Sequence, residues 1–435
     1  MGHMVAKDIY GKLGKKVDNL HVRAPSNDTF YEILKELYTA EEAEVVVKMP
    51  YLFSDLERIS KITKIEESKL KRVLDGLCSK GLVMDIWLGE EYRYMPSPLF
   101  VGIFEFTMMR TDGHPNMKEW GKLFHNYMGE GAPYRANFPA GAQTSISRTI
   151  PHEETIGDHI EFLDYEKATS LIEEATKYAV GICSCRHKKE HAGEERCDVP
   201  LGTCTTFGKA ADYLVRNSLS KEISKTEMLE LFAQSRELGL MYSADNVQKR
   251  IMFVCHCCGC CCGILDGINK HGLAATLVTS SFISDVDEEK CDGCGKCARA
   301  CHIQAIEMVP VASATNPKKK KTAKIDTSFC VGCGVCALKC ESGALNLIKR
   351  EKRVIHPETT FERVILQCLE RGTLQNQLFD NPESMTQKVM RGLTGGFLRL
   401  SPVKKALMSD TLRSTFLSSL GAGIKVLGKG YIHEL

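Results

Sequence analysis

The chain has 435 residues, more than one ordinary hydrophobic core accommodates, which implies two to four domains. Its 57 basic and 55 acidic residues leave a formal net charge of +2, so no global field selects nucleic acid or a membrane as partner, and any basic surface has to be local. The opening MGHMVAKDIYGKLGKKV lacks the apolar core of a signal peptide, its MGHM, compatible with a cloning remnant, is given no weight, and no run approaches the roughly 18 apolar residues of a membrane span. A cytoplasmic protein without a transmembrane segment is expected, and in that reducing compartment 20 cysteines argue for metal binding and against a disulfide framework.

In chain order, residues 30–47 read as a helix, and FSDLERISKIT opens a second one with Ser54 as candidate N-cap. After a turn at Lys64, IEESKLKRVLDGLCSKG places Ile65, Leu70, Val73, Leu74 and Leu77 on one face and ends at Gly81, which predicts a third helix. LVMDIWL and YRYMP flank a GlyGluGlu turn and read as a β-hairpin. Helix, turn, helix and hairpin over residues 25–110 resemble a winged-helix domain. Residues 111–160, rich in Gly, Pro and Ser, read as a connector with little regular structure. Helical periodicity returns at DYEKATSLIEEATKYAV, and two further helices are expected near 222–238 and 243–250. Residues 351–435 read as a helical tail.

One internal repeat is evident. VDEEKCDGCGKCARACHIQAIEM and IDTSFCVGCGVCALKCESGALNL superpose at a constant offset that matches Val286 to Ile325, Asp287 to Asp326 and Ala305 to Ala344, besides every cysteine. Cys291, Cys294, Cys297 and Cys301 follow the spacing CxxCxxCxxxC, and Cys330, Cys333, Cys336 and Cys340 repeat it. In such runs three thiolates wrap one cubane and the fourth crosses to the other, which assigns Cys291, Cys294, Cys297 and Cys340 to one [4Fe-4S] cluster and Cys330, Cys333, Cys336 and Cys301 to a second. Gly293, Gly295, Gly332 and Gly334 let the backbone curl around the sulfides. Residues 286–348 thus resemble the two-cluster bacterial ferredoxins, with structural zinc as the alternative for CxxC pairs. Two departures stand out: His302 and Glu341 replace the proline that usually follows the fourth cysteine, which bears on the potentials and not on ligation. The insert between the halves carries ProLysLysLysLys at 317–321, a solvated loop or a docking patch for an acidic redox partner.

Ten further cysteines lie upstream in two groups. Cys183, Cys185, Cys197 and Cys204 fall in GICSCRHKKEHAGEERCDVPLGTC; Cys255, Cys257, Cys258, Cys260, Cys261 and Cys262 fall in VCHCCGCCCG. Side chains alternate in extended backbone, so one cubane does not take all six of the second group. The reading favours one further [4Fe-4S] cluster built jointly by both groups, with a second extra centre open and zinc as the alternative. CysCysGly, at 257–259 and 261–263, faintly resembles the cysteine motif of heterodisulfide reductase catalytic subunits, whose long spacings are absent. His187, His191 and His256 are candidate ligands or proton donors.

GIKVLGKG at 423–430 misses a P-loop because Gly430 stands where Ser or Thr would bind magnesium, and no dinucleotide fingerprint follows a predicted strand. Lys64, Lys69, Lys71 and Arg72 lie on or before the third helix of the winged-helix-like region, where such domains meet DNA, but Glu66, Glu67 and Asp75 share it; DNA is the less favoured partner. Cys78 reads as a buried apolar residue. The tail stretch 402–430, with Lys404, Lys405, Arg413, Lys425 and Lys429 against Asp410, suits either its own core or a membrane surface.

The expectation is a multidomain α+β chain: a winged-helix-like domain (25–110), a connector (111–160), a cysteine-rich cluster-binding domain (161–280), a two-cluster ferredoxin module (281–350) and a helical tail (351–435). As a whole it resembles the large 4Fe-4S dicluster proteins of anaerobic bacteria and archaea, which implies a one-electron relay serving a partner oxidoreductase. The alternatives are a redox-sensing DNA-binding regulator and an oxidoreductase centred on Cys255–Cys262.

Overall fold

The computed structural model describes residues 2–139, 141–157, 160, 162–311, 319–352 and 354–435, with side chains from Ile9 onward. The chain opens with a helix, Gly2–Asp18, whose Leu13 and Val17 are fully buried against the helix Ala40–Lys48. Sequence reading gave this segment no structure.

The expected single helix at 30–47 is two, Asp28–Leu37 and Ala40–Lys48. The break at Thr39 follows from a capping box: Glu42 N–H donates to Thr39 Oγ1 at 3.2 Å, and Thr39 N–H donates to the Glu42 carboxylate at 2.8 Å. The next helix, Leu56–Thr63, is capped by Asp55 and not by Ser54, which instead pairs with Tyr94 in a β-bridge. Lys64 adopts a left-handed conformation (φ 59°) at its end, and Glu67–Ser79 follows with Leu70, Leu74 and Leu77 buried. Strands β1 (Val83–Leu88) and β2 (Glu91–Pro96) form the hairpin, turning at Gly89 and Glu90.

The segment read as an irregular connector is largely ordered. It holds the helices Met117–Gly129 and Ala132–Asn137 and strand β3 (Ser147–Ile150). Met117, Trp120, Phe124, Tyr127 and Met128 make a buried stripe at helical spacing that joins the N-terminal core; the Gly-, Pro- and His-containing stretch before it masked that periodicity.

A seven-stranded sheet forms the centre, built from β3, β4 (Tyr178–Gly181), β5 (Cys204–Phe207), β6 (Lys221–Ile223), β7 (Met241–Asp245), β8 (Phe253–Cys257) and β9 (Leu277–Val278). The order is β6-β4-β5-β8-β7-β3-β9, antiparallel throughout except for β3 with β9. Two expectations change here. YAV at the end of the predicted helix belongs to strand β4, the helix itself being Ala168–Glu174; and the helix expected at 243–250 is replaced by β7, buried on both faces, and the loop after it. Burial on both faces erases the period-two alternation that announces a strand. The expected helix near 222–238 is present as Lys225–Glu237.

In the repeat region, β10 (Phe282–Val286) pairs with β13 (Leu345–Lys349), and β11 (Ile306–Pro310) with β12 (Lys321–Ile325). Each half therefore lends one strand to each ribbon. Residues 360–434 are mainly helical, in the segments Thr360–Arg371, Leu374–Leu378, Met385–Leu398, Ser401–Met408, Asp410–Val426 and Gly430–Glu434. They are fastened to the rest by a buried ion pair, Arg363 with Asp245 at 3.0 Å, and a part-buried one, Arg58 with Asp380 at 2.8 Å. Among the described residues no helix is long and apolar enough to cross a membrane.

Candidate metal centres

The two cysteine repeats lie on loops that curl into short helices, Lys296–Ala300 and Val335–Leu338, with Cys297 and Cys336 buried on their first turns. Gly293, Gly295, Gly332 and Gly334 all have φ between 68° and 82°, where a side chain is strained. Gly293 and Gly332 are also sterically closed, because a Cβ would run into the backbone carbonyl oxygen of Lys321 or of Phe282.

Burial raises the thiols of Cys301, Cys333 and Cys336, that of Cys336 to about 12, opposed by backbone N–H groups at Cys301 and by Ser284 at Cys336, and Cys330 acts on all three. Cys301, from the first repeat, is thus placed among the cysteines of the second. Cys297 has Cys291 and Cys294 as its neighbouring thiols and packs in an apolar cluster that holds Cys336, Cys301 and Cys340. Hydrogen bonds reach the sulfurs from Ala305 N–H to Cys301 (3.2 Å) and between Ser284 Oγ and Cys336 (3.1 Å). Eight thiols, closed glycine turns and N–H groups directed at sulfur fit iron–sulfur ligation.

The two departures from the ferredoxin pattern have different surroundings. Glu341 is solvent-exposed and pairs with Lys296 at 2.6 Å. His302 is anchored: Nε2 donates to Gly239 O at 2.8 Å, and Nδ1 accepts from Gly259 N–H at 3.3 Å. It therefore joins the ferredoxin module to the CysCysGly loop. Of the basic run, Pro317 and Lys318 lie outside the described residues, while Lys319 is buried with its ammonium on Glu288 O.

The ten upstream cysteines sort into two sites. Cys183, Cys185, Cys204, Cys255, Cys257 and Cys262 line one cavity of about 90 Å³ with Phe104, Tyr134 and Arg186. The sheet brings them together: Cys204 and Cys255 are partners in the β5–β8 register, and the alternation of β8 puts Cys255 and Cys257 on the same face. Cys262 and Cys257 stand 3.2 Å apart, and Gly263 N–H donates to Cys185 at 3.3 Å. The expectation of a site shared by both groups matches this grouping. Cys197, Cys258, Cys260 and Cys261 form the second set, with all four sulfurs within 4.8 Å of one another; Cys258 also borders the cavity.

Arg186 is the cation of the cavity, buried to 1 % exposure. Its guanidinium donates to Thr203 Oγ1 at 2.6 Å and to His256 O at 2.7 Å, and its Nε finds no protein partner among the described residues. A buried guanidinium with a free N–H among thiols fits a site of negative charge. Sequence reading passed over it, although its place directly after Cys185 was the available signal.

The candidate histidines sit elsewhere. His187 and His191 face each other at 2.8 Å, and His187 Nδ1 bonds to Met108 O at 2.7 Å. The His256 ring lies on the opposite sheet face from Cys255, between Phe232 and Tyr242, and burial lowers its pKa to about 3. Cys78 and Cys368 are buried in separate cores. On the helix Glu67–Ser79, Lys69 pairs with Glu41 at 2.7 Å and Lys71 with Asp75 at 2.9 Å. In the tail, Lys404 donates to Glu370 O at 2.7 Å, Lys429 pairs with Asp380 at 2.9 Å and Arg413 with Asp410 at 3.3 Å. The exposed apolar stripe lies on the preceding helix, at Met385, Val389, Leu393 and Phe397.

Neither the curated proteins nor the solved structures contain a match to the chain. Residues 290–344 match the family model of the 4Fe-4S dicluster domain, so the chain carries an iron–sulfur cluster-binding domain with the capacity for electron transfer.

Proposed function

We propose that the protein is a one-electron carrier serving a partner oxidoreductase, with two [4Fe-4S] clusters in the ferredoxin module and a third iron–sulfur centre in the six-cysteine cavity. Cys291, Cys294, Cys297 and Cys340 hold the first cluster, Cys330, Cys333, Cys336 and Cys301 the second, and a subset of Cys183, Cys185, Cys204, Cys255, Cys257 and Cys262 the third. When bound, such clusters take up and release single electrons at potentials set by burial, charge and hydrogen bonds to sulfur.

The observation that carries this reading is the continuity of the core between module and cavity. Cys257 and Cys262 are buried in one apolar cluster with Ile303, Val331 and Val335, and Cys255, Cys301, Cys330 and Cys333 pack against it. The cysteines of the second cluster thus share a water-excluding wall with those of the cavity. Around the cavity, Arg186 offsets thiolate charge, while Phe104 and Tyr134 keep water out.

The test is iron and acid-labile sulfide analysis of anaerobically purified protein, followed by EPR of the reduced form. Roughly twelve irons with a third paramagnetic centre is the expected result, against roughly eight for the module alone. Eight irons would remove the cavity from the reading, and iron near zero after anaerobic reconstitution would sink it altogether. The regulatory alternative requires DNA retention that changes with cluster state; the pairing of Lys69 and Lys71 with carboxylates does not favour it.

A further inference from the structure

The structure assigns to Cys197, Cys258, Cys260 and Cys261 a separate mononuclear zinc site that clasps two distant loops over the cysteine cavity. Four thiolates around one zinc at about 2.3 Å occupy the corners of a tetrahedron with edges of about 3.8 Å. The observed separations are 3.6 Å for Cys197 to Cys258, 3.8 Å for Cys197 to Cys261 and 3.6 Å for Cys260 to Cys261, with every pair inside 4.8 Å. A cubane spreads its four thiolates over four different irons, a cluster's width apart. Among the described residues, no other group of three or more potential ligands is gathered this tightly, the eight ferredoxin cysteines included.

The donor set and its setting agree with zinc. A closed tetrahedron of four sulfurs is the pattern of a structural zinc site, and it leaves no coordination position for chemistry. Cys260 is solvent-exposed while Cys258 and Cys261 are buried, so the site lies at the surface. Four thiolates on a divalent ion carry a net charge of about −2, and cations stand close by. Lys189 donates to Cys260 O at 3.0 Å, and Arg196 donates to Cys197 O at 2.8 Å and Val199 O at 3.2 Å.

The position gives the site a purpose. Cys197 comes from the loop after the helix Ser184–His191, and the other three come from the turn after β8, 61 to 64 residues further on. That turn also contains Gly259, whose N–H meets His302 of the ferredoxin module, and Cys258, which borders the cavity. One zinc therefore fixes the turn that borders the cavity and meets the module.

The test uses the full chain, purified anaerobically from medium containing both metals, with metals measured by mass spectrometry and the zinc environment by X-ray absorption. The expected result is one zinc per chain in a shell of four sulfurs. In a Cys197→Ser/Cys260→Ser variant zinc should fall by about tenfold or more, with iron and sulfide unchanged. Cys183→Ser should do the reverse, lowering iron and leaving zinc. Because Cys260 is exposed, retained iron also reports that the double variant folds. Absence of zinc from the wild type, an extra mononuclear iron in its place, or loss of iron instead of zinc from the double variant would overturn the assignment.

Discussion

The four glycines of the cluster loops should not tolerate alanine equally, and the difference can be worked from their surroundings. All four require a left-handed backbone, which costs an L-residue about 1–2 kcal/mol. At Gly295 little is added: the nearest atom to a new Cβ is the flexible end of Arg299, 3.3 Å away. At Gly332 the Cβ would meet the carbonyl of Phe282 on β10, and at Gly293 that of Lys321 on β12, positions that the repeat makes equivalent. Backbone cannot swing aside as a side chain does, so an overpacking cost of about 1–3 kcal/mol is added, giving roughly 2–5 kcal/mol in all, a large share of the 5–15 kcal/mol of an ordinary domain. Gly293→Ala and Gly332→Ala should therefore lose iron from the module and melt earlier, while Gly295→Ala retains its iron. The assay is iron and sulfide content with anaerobic thermal melting of the three variants. Full iron in Gly332→Ala at the melting temperature of Gly295→Ala would refute the reasoning.

Three further outcomes are expected. Arg363→Met leaves Asp245, which is fully buried, with only Arg148 as a compensating charge, and should cost about 3 kcal/mol in anaerobic denaturant unfolding; a loss below about 1 kcal/mol would count against the pair as the fastener of the tail. Burial raises the Glu105 carboxyl from 4.5 to about 7, against the Gly102 and Val101 N–H groups, so the folded chain binds a proton that the unfolded chain has released. Its contribution is complete below pH 4.5 and is lost as pH rises through about 7, up to about 3 kcal/mol; Glu105→Gln should flatten unfolding stability between pH 5 and 8, and an unchanged slope would refute the assignment. Arg186→Gln removes the buried cation beside the cavity and should lower the potential of the upstream centre, about 60 mV for each 1.4 kcal/mol of lost stabilisation, in an EPR-monitored titration. The signals of the module should stay in place.

The ferredoxin module was legible because each of its two runs of four cysteines spans only eleven residues, and the chain wrapping a cluster imposes that spacing locally. The division of the ten upstream cysteines was not, since it depends on β5 pairing with β8 and on the loop holding Cys197 folding back onto the turn after β8. The alternation of Cys255 and Cys257 was available from the sequence; the partners across the sheet were not. Errors in secondary structure have the same origin. β7 is buried on both faces and shows no alternation, and the helix Met117–Gly129 is amphipathic, but its signal was diluted by the polar turn before it. The separate helices at 28–37 and 40–48 were readable in principle, because Thr39 and Glu42 stand at capping-box spacing.

His302 shows how a departure from a family pattern can be put to use. A proline after the fourth cysteine has neither an N–H nor a side-chain hydrogen-bonding atom; the histidine imidazole offers two nitrogens. Here one accepts from Gly259 in the CysCysGly loop, and the other donates to Gly239 ahead of β7, while the His302 carbonyl accepts from Asn269 at 2.9 Å. These bonds fix Cys301, the neighbour of His302, relative to the cysteines that follow Gly259. On the other side His152 N–H donates to Cys333 O at 3.0 Å, and the His152 ring bonds to Leu240 O at 2.9 Å. The module is thus tied to the sheet through one cysteine of each repeat, by the bonds of His302, next to Cys301, and through the Cys333 carbonyl, both cysteines packing against the apolar cluster shared with the cavity. A free ferredoxin domain has no need of such anchors. A module that must hold a constant separation from a further centre does, and the solvent-exposed Glu341 at the equivalent position of the other half carries no anchor of this kind.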